Sequence, residues 1–499
     1  MPFYLKSKKL DFSTGDEPVA VINRKEAGNY GIQPNDKILL KWSKSRKKVV
    51  DFQFTSSKVK PGYVGLFEEI WKGNDWIDDE QIVEVAIISR PASIKAIEKK
   101  MLGQELDYQE IHSIIADIAA DRLSDVETTY FAASGFIQPY SLLEMAHMVK
   151  AMAETGEMMN LKIKVADKHS VGGIPNNRTT MIVVPIIASL DIYIPKTSSR
   201  AITSPAGTAD TMEVIAPVTH PMSKIKEIVK KTKACLVWGG GLSLAPADDR
   251  IIQIQRPISI ESFDEMIVSI MAKKVAMGVD YLVIDLPYGP TAKVKDLKIA
   301  KEIEKKFIWI ANKFKIKIKV VMTKAVQPIG RGIGPALEAR DVLRVLQQHD
   351  LRPRDLERKA LHLAGELLEL MNYCRRGQGQ KVALKQLISG AAWQKMNQII
   401  IAQGGKKNLK ADAVALGALR YEIHAPRSGQ VVLIDNKVIN EVCMNLGAPH
   451  EKIAGMHFHV DHGNKVKKGQ KLYTLYARSN DRINLALTAL KRQRIVVIK

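Results

Sequence analysis

The sequence predicts a multidomain α/β protein, with a small β-barrel-like domain at its N-terminus and an α+β domain at its C-terminus. Short apolar segments alternate with helical patterns over residues 161–400, which is typical of a mainly parallel sheet covered by helices. Strand-like segments dominate the two ends of the chain, residues 1–88 and 410–499. The length of 499 residues is enough for two to four domains.

The N-terminal region, residues 1–88, is expected to form the small β domain. Strand-like segments separated by turn residues lie at 19–22, 37–40, 49–54 and 63–66. Segment 27–36 resembles the recurring turn of small double-psi barrels. No pattern of catalytic residues occurs here, so we expect the chemistry elsewhere in the chain.

The next region, residues 91–160, is expected to be helical, because apolar residues recur at helical spacing over 108–120, 124–133 and 141–155. The strands of the α/β region are predicted at 161–165, 192–194, 234–238, 281–285 and 316–322. Residues 376–409 are rich in Gly, Gln and Lys and are interpreted as partly a linker.

Two polar segments of the α/β region lie on either side of an apolar run. The first, 167–180, reads DKHSVGGIPNNRTT, and the second, 195–208, reads PKTSSRAITSPAGT. Residues 181–190 between them are apolar except for Ser189, which predicts a buried helix.

The two polar segments are interpreted as an anion site. Gly172 and Gly173 allow a tight turn that brings backbone N–H groups close to a ligand. Thr179 and Thr180 lie where the buried helix is expected to begin, and a helix N-terminus favours negative charge. A Gly pair beside a lysine is more often only a turn, but two such segments in succession favour an anion site. Cationic and hydroxyl donors suited to phosphate are Lys168, Ser170, Ser198, Arg200 and Thr208.

The composition excludes several classes of protein. The three cysteines, Cys235, Cys374 and Cys443, form no C-x-x-C pair, which argues against a disulfide framework or structural zinc and for a reducing compartment. The N-terminus has no apolar core of a signal peptide, and the apolar runs are too short to span a membrane. We therefore expect a cytoplasmic protein with no membrane association.

The net charge of +22 leaves two interpretations open. Strongly basic domains attract the phosphate backbone of nucleic acids. A basic surface also steers small anionic substrates toward a site. The lysines are spread along the chain and aromatic residues make up only 6%, which favours the second interpretation over nucleic-acid binding.

The two polar segments resemble the phosphate-binding loops of the thymidine phosphorylase family, and they are most similar to its longer branch, which includes the archaeal AMP phosphorylases. The motifs that carry this resemblance are Lys-His-Ser-x-Gly-Gly at 168–173 and Ser-Ser-Arg-Ala-Ile-Thr-Ser-x-Ala-Gly-Thr-Ala-Asp at 198–210. Further matching stretches lie at 245–249, 269–274 and 327–330. The resemblance covers residues 90–490, and the N-terminal segment also fits the longer branch.

The resemblance implies a domain organisation. Residues 91–160 plus 255–278 would form a discontinuous helical lobe, and residues 161–254 plus 279–400 the α/β phosphate-binding domain. The N-terminal domain would serve assembly into a homo-oligomer, a dimer or larger.

The C-terminal region, 410–499, resembles the hammerhead fold of biotinyl and lipoyl domains at 425–432 and 462–470. It lacks the Met-Lys-Met of a carrier domain, so it is interpreted as structural. Four histidines raise the question of a metal: His450, His457, His459 and His462. Because no cysteine or acidic cluster joins them at ligand spacing, no metal site is expected.

The activity that the resemblance implies is phosphorolysis of an N-glycosidic bond. Phosphate would attack the anomeric carbon of thymidine, giving thymine and 2-deoxyribose 1-phosphate, or of a nucleoside 5′-monophosphate such as AMP, giving the base and ribose 1,5-bisphosphate. Phosphate is then a substrate, and no cofactor is expected.

Residue by residue, the resemblance implies three groups of site residues. The phosphate ligands are Lys168, Ser170, Thr179, Ser198 and Thr208. The catalytic residues are His169, Arg200 and Glu261, the last as proton donor in place of the family's Asp. The substrate-binding residues are Gly173, Ser199, Arg200, Ala201, Ile202, Thr203, Ser204, Ser269, Lys273 and Lys293.

For three of these residues, a purely structural role without catalysis or binding stays open. Glu261 precedes a predicted helix at 262–277 and suits its dipole without any catalytic role. Lys273 fits a solvated helix face, and His169 fits an ordered structural histidine.

Substrate choice also stays open. The shorter-branch enzymes carry a pyrimidine-binding Arg fifteen residues before the equivalent of Ser269, and this chain has Ile254 there. Segment 199–204 instead follows the branch that uses nucleotides. The sequence does not determine which base is used, whether a 5′-phosphate is required, whether the sugar is ribose or deoxyribose, or how large the oligomer is. The alternative function is a catalytically inactive basic protein that binds nucleotides or nucleic acid.

Overall fold

The computed structural model describes residues 2–15, 18–33, 36–43, 46–72, 77–88, 91–159, 161–201, 204–255 and 262–499. The chain divides into two compact units. The first consists of Met1–Thr155 and Ala245–Glu265, and the second of Gly156–Leu244 and Met266–Lys499. No helix in the described ranges is long and apolar enough to cross a membrane.

The first unit begins with a closed six-stranded barrel of strand order β1-β5-β2-β4-β3-β6. In β1 alternate side chains are buried, beginning with Phe3 and Leu5, as the period of a strand with one face on a core requires. The barrel elements are β1 Phe3–Lys9, β2 Val19–Asn23, α1 Arg24–Tyr30, β3 Lys37–Lys41, β4 Lys47–Thr55, β5 Tyr63–Leu66, α2 Glu68–Trp71 and β6 Ile82–Ile87.

Four helices follow the barrel: α3 Ser93–Met101, α4 Tyr108–Ala119, α5 Asp125–Ile137 and α6 Leu142–Glu154. Capping boxes begin three of them and satisfy their first N–H groups, with Asp107, Ser124 and Ser141 as the N-caps. These three helices lie where the apolar spacing predicted helices.

The second unit contains five parallel strands and the helices that cover them. A three-stranded sheet has the order β11-β10-β7 and a two-stranded sheet pairs β8 with β9. A single parallel bridge between Val165 and Tyr193 joins the two sheets. The strands are β7 Ala166–Ser170, β8 Ile194–Ser198, β9 Ala234–Trp238, β10 Tyr281–Tyr288 and β11 Lys317–Lys324.

Helix α7, Thr180–Ala188, is the centre of this unit, since every one of its side chains is buried. It packs against α14 and α16 in one apolar core. The other helices of the middle region are α8 Thr208–Glu213, α9 Met222–Thr232, α10 Pro246–Gln255, α11 Phe263–Ala276, α12 Leu297–Lys313, α13 Pro335–Leu346, α14 Arg354–Leu370, α15 Gly379–Ile388 and α16 Ala391–Ala402.

The C-terminal region of the second unit is α+β. Its two sheets have the orders β12-β15-β17-β13 and β16-β14-β18, and β12 comes from Gly332–Ile333, far upstream in the chain. The remaining elements are β13 Leu419–His424, β14 Gly429–Ile434, α17 Asn436–Leu446, β15 Gly455–Phe458, β16 Lys465–Val466, β17 Lys471–Ala477, α18 Asn480–Arg492 and β18 Val496–Ile498.

Three expectations from the sequence differ from the structure. The strand expected at 161–165 lies at Ala166–Ser170, because pairing with β10 holds the polar residues of the motif in extended conformation. The strand expected at 192–194 likewise runs on through Ser198. The linker expected within 376–409 contains α15 and α16, whose apolar residues join the core around α7.

Two helices lie near the sequence limits of the two units. Helix α10 packs against α4 and α5 and groups with the first unit. Helix α11 forms as expected near 262–277, but only its first three residues group with that unit. Because α10 buries Ala247, Asp248 and Ile251, its contacts decide the grouping.

Candidate active site

The polar segments of the sequence meet at the carboxyl ends of the parallel strands. Ser170 at the end of β7 pairs in register with Asp285 of β10. Ser170 and Ser198 each lie five residues beyond the bridge that joins β7 to β8. In open parallel sheets this edge is where ligands bind.

Lys168 is the centre of this polar cluster. It is 0% exposed. Its Nζ donates hydrogen bonds to the hydroxyl of Ser170, to Thr179 Oγ1 at 2.7 Å and to Thr180 Oγ1 at 3.2 Å. Thr179 is the N-cap of α7, so the lysine and three hydroxyls surround the positive end of a buried helix.

Asp285 connects the members of the cluster. Its Oδ2 accepts hydrogen bonds from Ser170 Oγ and Asn177 Nδ2, each at 2.8 Å. Lys359 of α14 lies 3.0 Å from its Oδ1, and Lys168 Nζ lies 4.0 Å from its Oδ2. A buried carboxylate of this kind needs all of these partners to stay charged.

Burial and neighbouring charges set the ionisation of this pair. Burial lowers the pKa of Lys168 to about 7, although Asp285 opposes the change, and Lys359 and Arg178 lower it further. Burial would raise the pKa of Asp285, but Lys359, Lys168 and the Asn177 amide outweigh it and hold that pKa below its usual value. The site therefore holds a carboxylate beside an ammonium group that loses its proton near neutral pH.

His169 lies next to a second buried charge cluster. The carboxylate of Asp167 lies 3.3 Å from Lys196 and 2.6 Å from Lys274. Burial and then the nearby lysines, led by Lys274 and Lys196, hold the pKa of His169 well below its usual value. A neutral imidazole can donate or accept a hydrogen bond but brings no positive charge to the site.

The second polar segment is fixed to the first by Arg178. This guanidinium donates to Thr208 Oγ1 at 2.8 Å and to the Ala206 carbonyl at 2.6 Å, and it pairs with the buried Glu338. Ser198 Oγ is buried and finds no hydrogen-bond partner among the described residues. A buried hydroxyl without a partner is costly unless a ligand satisfies it, which supports an anion site here.

Arg200 is already engaged by neighbouring side chains. Its guanidinium donates to Glu213 at 2.6 and 2.7 Å and to Asp210 at 3.2 Å, and it lies 4.8 Å above the ring of Trp238. Lys452 lies 2.9 Å from Glu213. The hydrogen bonds from Arg200 lower the pKa of Glu213 to about 2; burial opposes this change and Lys452 adds to it.

Neighbouring backbone atoms leave no room for a side chain at two glycines of the predicted site. A Cβ added at Gly173, where φ is +84°, would lie 2.7 Å from the backbone N of Lys293. A Cβ added at Gly207 would lie 2.5 Å from the Ser199 carbonyl. The structure thus brings Gly173 to Lys293 and Gly207 to the loop that follows β8.

The remaining predicted residues have varied places. Ser199 is exposed, whereas the Ala201 N–H donates to Asp210 at 2.7 Å and the Ser204 hydroxyl to the Ala206 carbonyl at 3.0 Å. Ser269 and Lys273 lie one turn apart on α11. Ile202, Thr203 and Glu261 lie outside the described residues.

The sequence interpretation missed four members of the cluster: Arg178, Lys196, Asp285 and Lys359. It noted Lys274 only within the matching stretch 269–274. Arg178 and Lys196 lie inside the two polar segments and were available as candidates. Asp285 ends a predicted strand, which is a usable signal because strand ends meet at one edge. Nothing in the local sequence singles out Lys359 on α14.

The C-terminal histidines form no metal site in the described ranges, where no group of three His, Cys, Asp or Glu side chains is close enough to bind a metal ion. His457 and His459 have ring centroids 5.1 Å apart, and His459 shares a hydrogen bond with Thr474. Burial lowers the pKa of His457 to about 4, and His459 and nearby arginines add to that effect.

Three family models match the chain. The helical bundle domain of the Glycosyl transferase family matches residues 94–156, and its a/b domain matches residues 162–393. The Pyrimidine nucleoside phosphorylase C-terminal domain matches residues 431–496. These matches confirm a multidomain α/β protein with a helical bundle and a separate C-terminal domain.

Curated relatives match over nearly the whole chain. An AMP phosphorylase of Methanococcus vannielii is 41% identical over 490 residues, which is 98% of this chain and 96% of the relative. An AMP phosphorylase of Pyrococcus furiosus is 40% identical over 488 residues, with the same two shares covered.

A solved structure has a similar fold over part of the chain. The anthranilate phosphoribosyltransferase of Thermus thermophilus covers 62% of this chain and 99% of its own, with a TM-score of 0.53 and 16% identity. At that identity the likeness concerns the fold alone.

Proposed function

The chain belongs to the thymidine and pyrimidine-nucleoside phosphorylase family, in the longer branch with the AMP phosphorylases, and we propose that it is itself an AMP phosphorylase. It would convert AMP and phosphate into adenine and ribose 1,5-bisphosphate. The observation that carries the proposal is the buried Lys168 with its three hydroxyl partners at the N-terminus of α7.

The phosphate nucleophile is assigned to this cluster. Lys168, Ser170, Thr179, Ser198 and Thr208 offer one ammonium and four hydroxyl groups for its oxygens. Positioning phosphate against the anomeric carbon replaces a bimolecular encounter by an oriented attack. Its negative charge then stabilises the oxocarbenium-like sugar of the transition state, as a carboxylate does in glycoside hydrolysis.

The leaving adenine needs a proton or a strong hydrogen bond as the bond to the sugar breaks. We assign that task to Glu261, whose carboxyl replaces the family's aspartate. The neutral His169 is assigned to a hydrogen bond with the substrate rather than to charge stabilisation.

Arg200 has a positioning role in this proposal. Its guanidinium pairs with Glu213 and Asp210, so it anchors the loop 199–204 that is proposed to hold the nucleotide. Ser269, Lys273, Lys293 and Gly173 complete the proposed nucleotide site.

The direct test is base release measured by chromatography. The purified protein is incubated with phosphate and, separately, with AMP, CMP, UMP, thymidine and uridine. We expect adenine release from AMP that depends on phosphate and is abolished in Lys168→Met. Release from thymidine or uridine but not from AMP would overturn the proposal in favour of a pyrimidine nucleoside phosphorylase.

The alternative, an inactive basic binding protein, predicts a different result. No base release from any substrate, together with tight and strongly salt-dependent DNA binding, would favour it. The buried donor set around Lys168 supports the enzyme instead, because a surface that binds a nucleic-acid backbone needs exposed cations.

Assembly, location and domain limits are also proposals. We propose a cytoplasmic homo-oligomer, a dimer or larger, which mass measurement in solution tests. Three free cysteines support a reducing compartment. The proposed domains are 1–88, 91–160 plus 255–278, 161–254 plus 279–400, and 410–499. Limited proteolysis tests these limits.

A further inference from the structure

One buried carboxylate is shared by two lysines at the candidate site. Lys359 Nζ lies 3.0 Å from Asp285 Oδ1, whereas Lys168 Nζ lies 4.0 Å from Asp285 Oδ2. Lys168 and Asp285 are 0% exposed and the Lys359 side chain is 11% exposed. Lys359 comes from α14 and lies far from both polar segments in the sequence.

We propose that Lys359 is a positioning residue that keeps the Asp285 carboxylate from capturing Lys168, so that the Lys168 ammonium stays directed at the phosphate. Asp285 is the second positioning residue of this arrangement. The inference rests on the proposed function, because it assigns phosphate to Lys168.

The geometry of Asp285 supports this arrangement. Ser170 and Asn177 donate to its Oδ2 at 2.8 Å, while Lys359 lies beside its Oδ1. Lys168 therefore has no hydrogen bond to the carboxylate, and its hydrogens go to hydroxyl oxygens that also suit phosphate. Oδ1 accepts no hydrogen bond from the described residues, so without Lys359 it would also lose its ion pair. Among the described residues, Lys168 is then the cation that lies within 4.0 Å of this carboxylate.

The charges around Lys168 come from every element that packs against it. Asp285 of β10 favours its ammonium form, as does Asp167 of its own strand, whereas Lys359 of α14 and Arg178 before α7 oppose it. Three further groups face the same strand. Lys196 of β8 and Lys274 of α11 pair with Asp167, and the pKa of His169 lies well below its usual value.

These opposite effects give opposite predictions for two variants. Removing the charge of Lys359 raises the pKa of Lys168 above about 7, because a like charge is lost. Removing the charge of Asp285 lowers it, because an opposite charge is lost. With AMP saturating, the pH dependence of kcat/KM for phosphate reports groups of the enzyme–AMP complex and of free phosphate, so it reads Lys168 before phosphate binds. The titration of phosphate is the same for every variant and cancels when their profiles are compared.

The experiment measures kcat/KM for phosphate with saturating AMP between about pH 5.5 and 9.5. We expect an alkaline decline in the wild type, moved upward by about one pH unit in Lys359→Gln and downward by a similar amount in Asp285→Asn. Lys359→Arg keeps the charge and should keep the wild-type profile. Lys319→Gln is the matched control. It removes the charge of a lysine on β11 that lies 3.8 Å from Glu366, and Glu366 belongs to α14, the helix that carries Lys359.

A merely structural role predicts a different pattern. Equal losses at every pH in Lys359→Gln and Asp285→Asn, with no shift of the alkaline limb, would overturn the proposal. A shift in the same direction for both variants would do the same. If Lys359→Gln fails to fold, the direction of the Asp285→Asn shift and the unchanged profile of Lys359→Arg still decide.

A second readout separates this inference from the proposed function. The rise in melting temperature that phosphate alone produces, followed over the same pH range, reports binding without turnover. Absence of AMP phosphorolysis with the expected opposite shifts in phosphate binding would refute the function and leave the role of Lys359 standing. Normal phosphorolysis with no shifts would refute only the role of Lys359.

Discussion

The variant Gly173→Ala tests whether the close contact between Gly173 and Lys293 matters for activity. The residue has φ +84°, and an alanine Cβ would lie 2.7 Å from the backbone N and 2.8 Å from the Cβ of Lys293. To reach an ordinary carbon contact of about 3.5 Å, Lys293 must move by about 0.7 Å. The left-handed backbone adds a cost of roughly 1–2 kcal/mol for Gly173→Ala.

The neighbouring Gly172 supplies a matched control. It has φ +93°, and a Cβ there meets nothing within 4 Å, so Gly172→Ala carries the backbone cost without the collision. We expect both variants to lower the melting temperature, and Gly173→Ala to lower it further because the collision adds to the backbone cost. Only Gly173→Ala should also lower kcat/KM for AMP strongly, by roughly 100-fold, because displacements of this size disturb an oriented reaction.

The assay is adenine release against AMP concentration at saturating phosphate, with thermal unfolding of each variant followed in parallel. Equal losses of kcat/KM in the two variants would refute the reasoning, since the backbone strain alone would then explain them. Full activity of Gly173→Ala would show that Lys293 lies outside the reactive site or moves without consequence.

Three further predictions test other parts of the site. Ser198→Ala should raise KM for phosphate by about tenfold or more, because a hydrogen bond to a charged ligand is lost. It should leave the melting temperature unchanged, because the hydroxyl has no partner among the described residues. A lower melting temperature with unchanged KM would contradict the role of Ser198 in phosphate binding. Lys452→Met removes one of the two cations that pair with Glu213, the carboxylate that holds Arg200 in place. We expect KM for AMP to rise about three- to tenfold with little change in kcat, because Arg200 is then less well positioned. A change in kcat alone would argue against this positioning role. Glu261→Gln should lower kcat far more than phosphate affinity, and equal losses in both would exclude the proton-donor role.

Local chemistry explains why the first polar segment was predictable. Gly172 and Gly173 both adopt positive φ, and α7 begins at Thr180 with Thr179 as its N-cap, as the pattern of glycines, threonines and apolar residues indicated. The order of strands and helices in the middle of the chain followed in the same way from apolar spacing. Each of these features depends on residues that are near in sequence.

Arg200 shows what residue type alone leaves undetermined. The sequence predicts that it faces the substrate, and the structure pairs it with Glu213 and Asp210. Those acidic residues lie within the same stretch of chain, but only the packing of Arg200 against α8 brings their carboxylates to the guanidinium. The strand limits at β7 and β8 were also set by pairing with neighbouring strands rather than by side-chain preference.

The sequence by itself determined the buried helix and predicted an anion site in the two polar segments on either side of it, and the resemblance of those segments indicated the family. The tertiary structure decided how that site is charged. Asp285 and Lys359 reach Lys168 from β10 and α14, and Lys274 reaches Asp167 from α11. Charges interact through space, and burial strengthens each interaction, so the ionisation of Lys168 depends on contacts that no local pattern encodes.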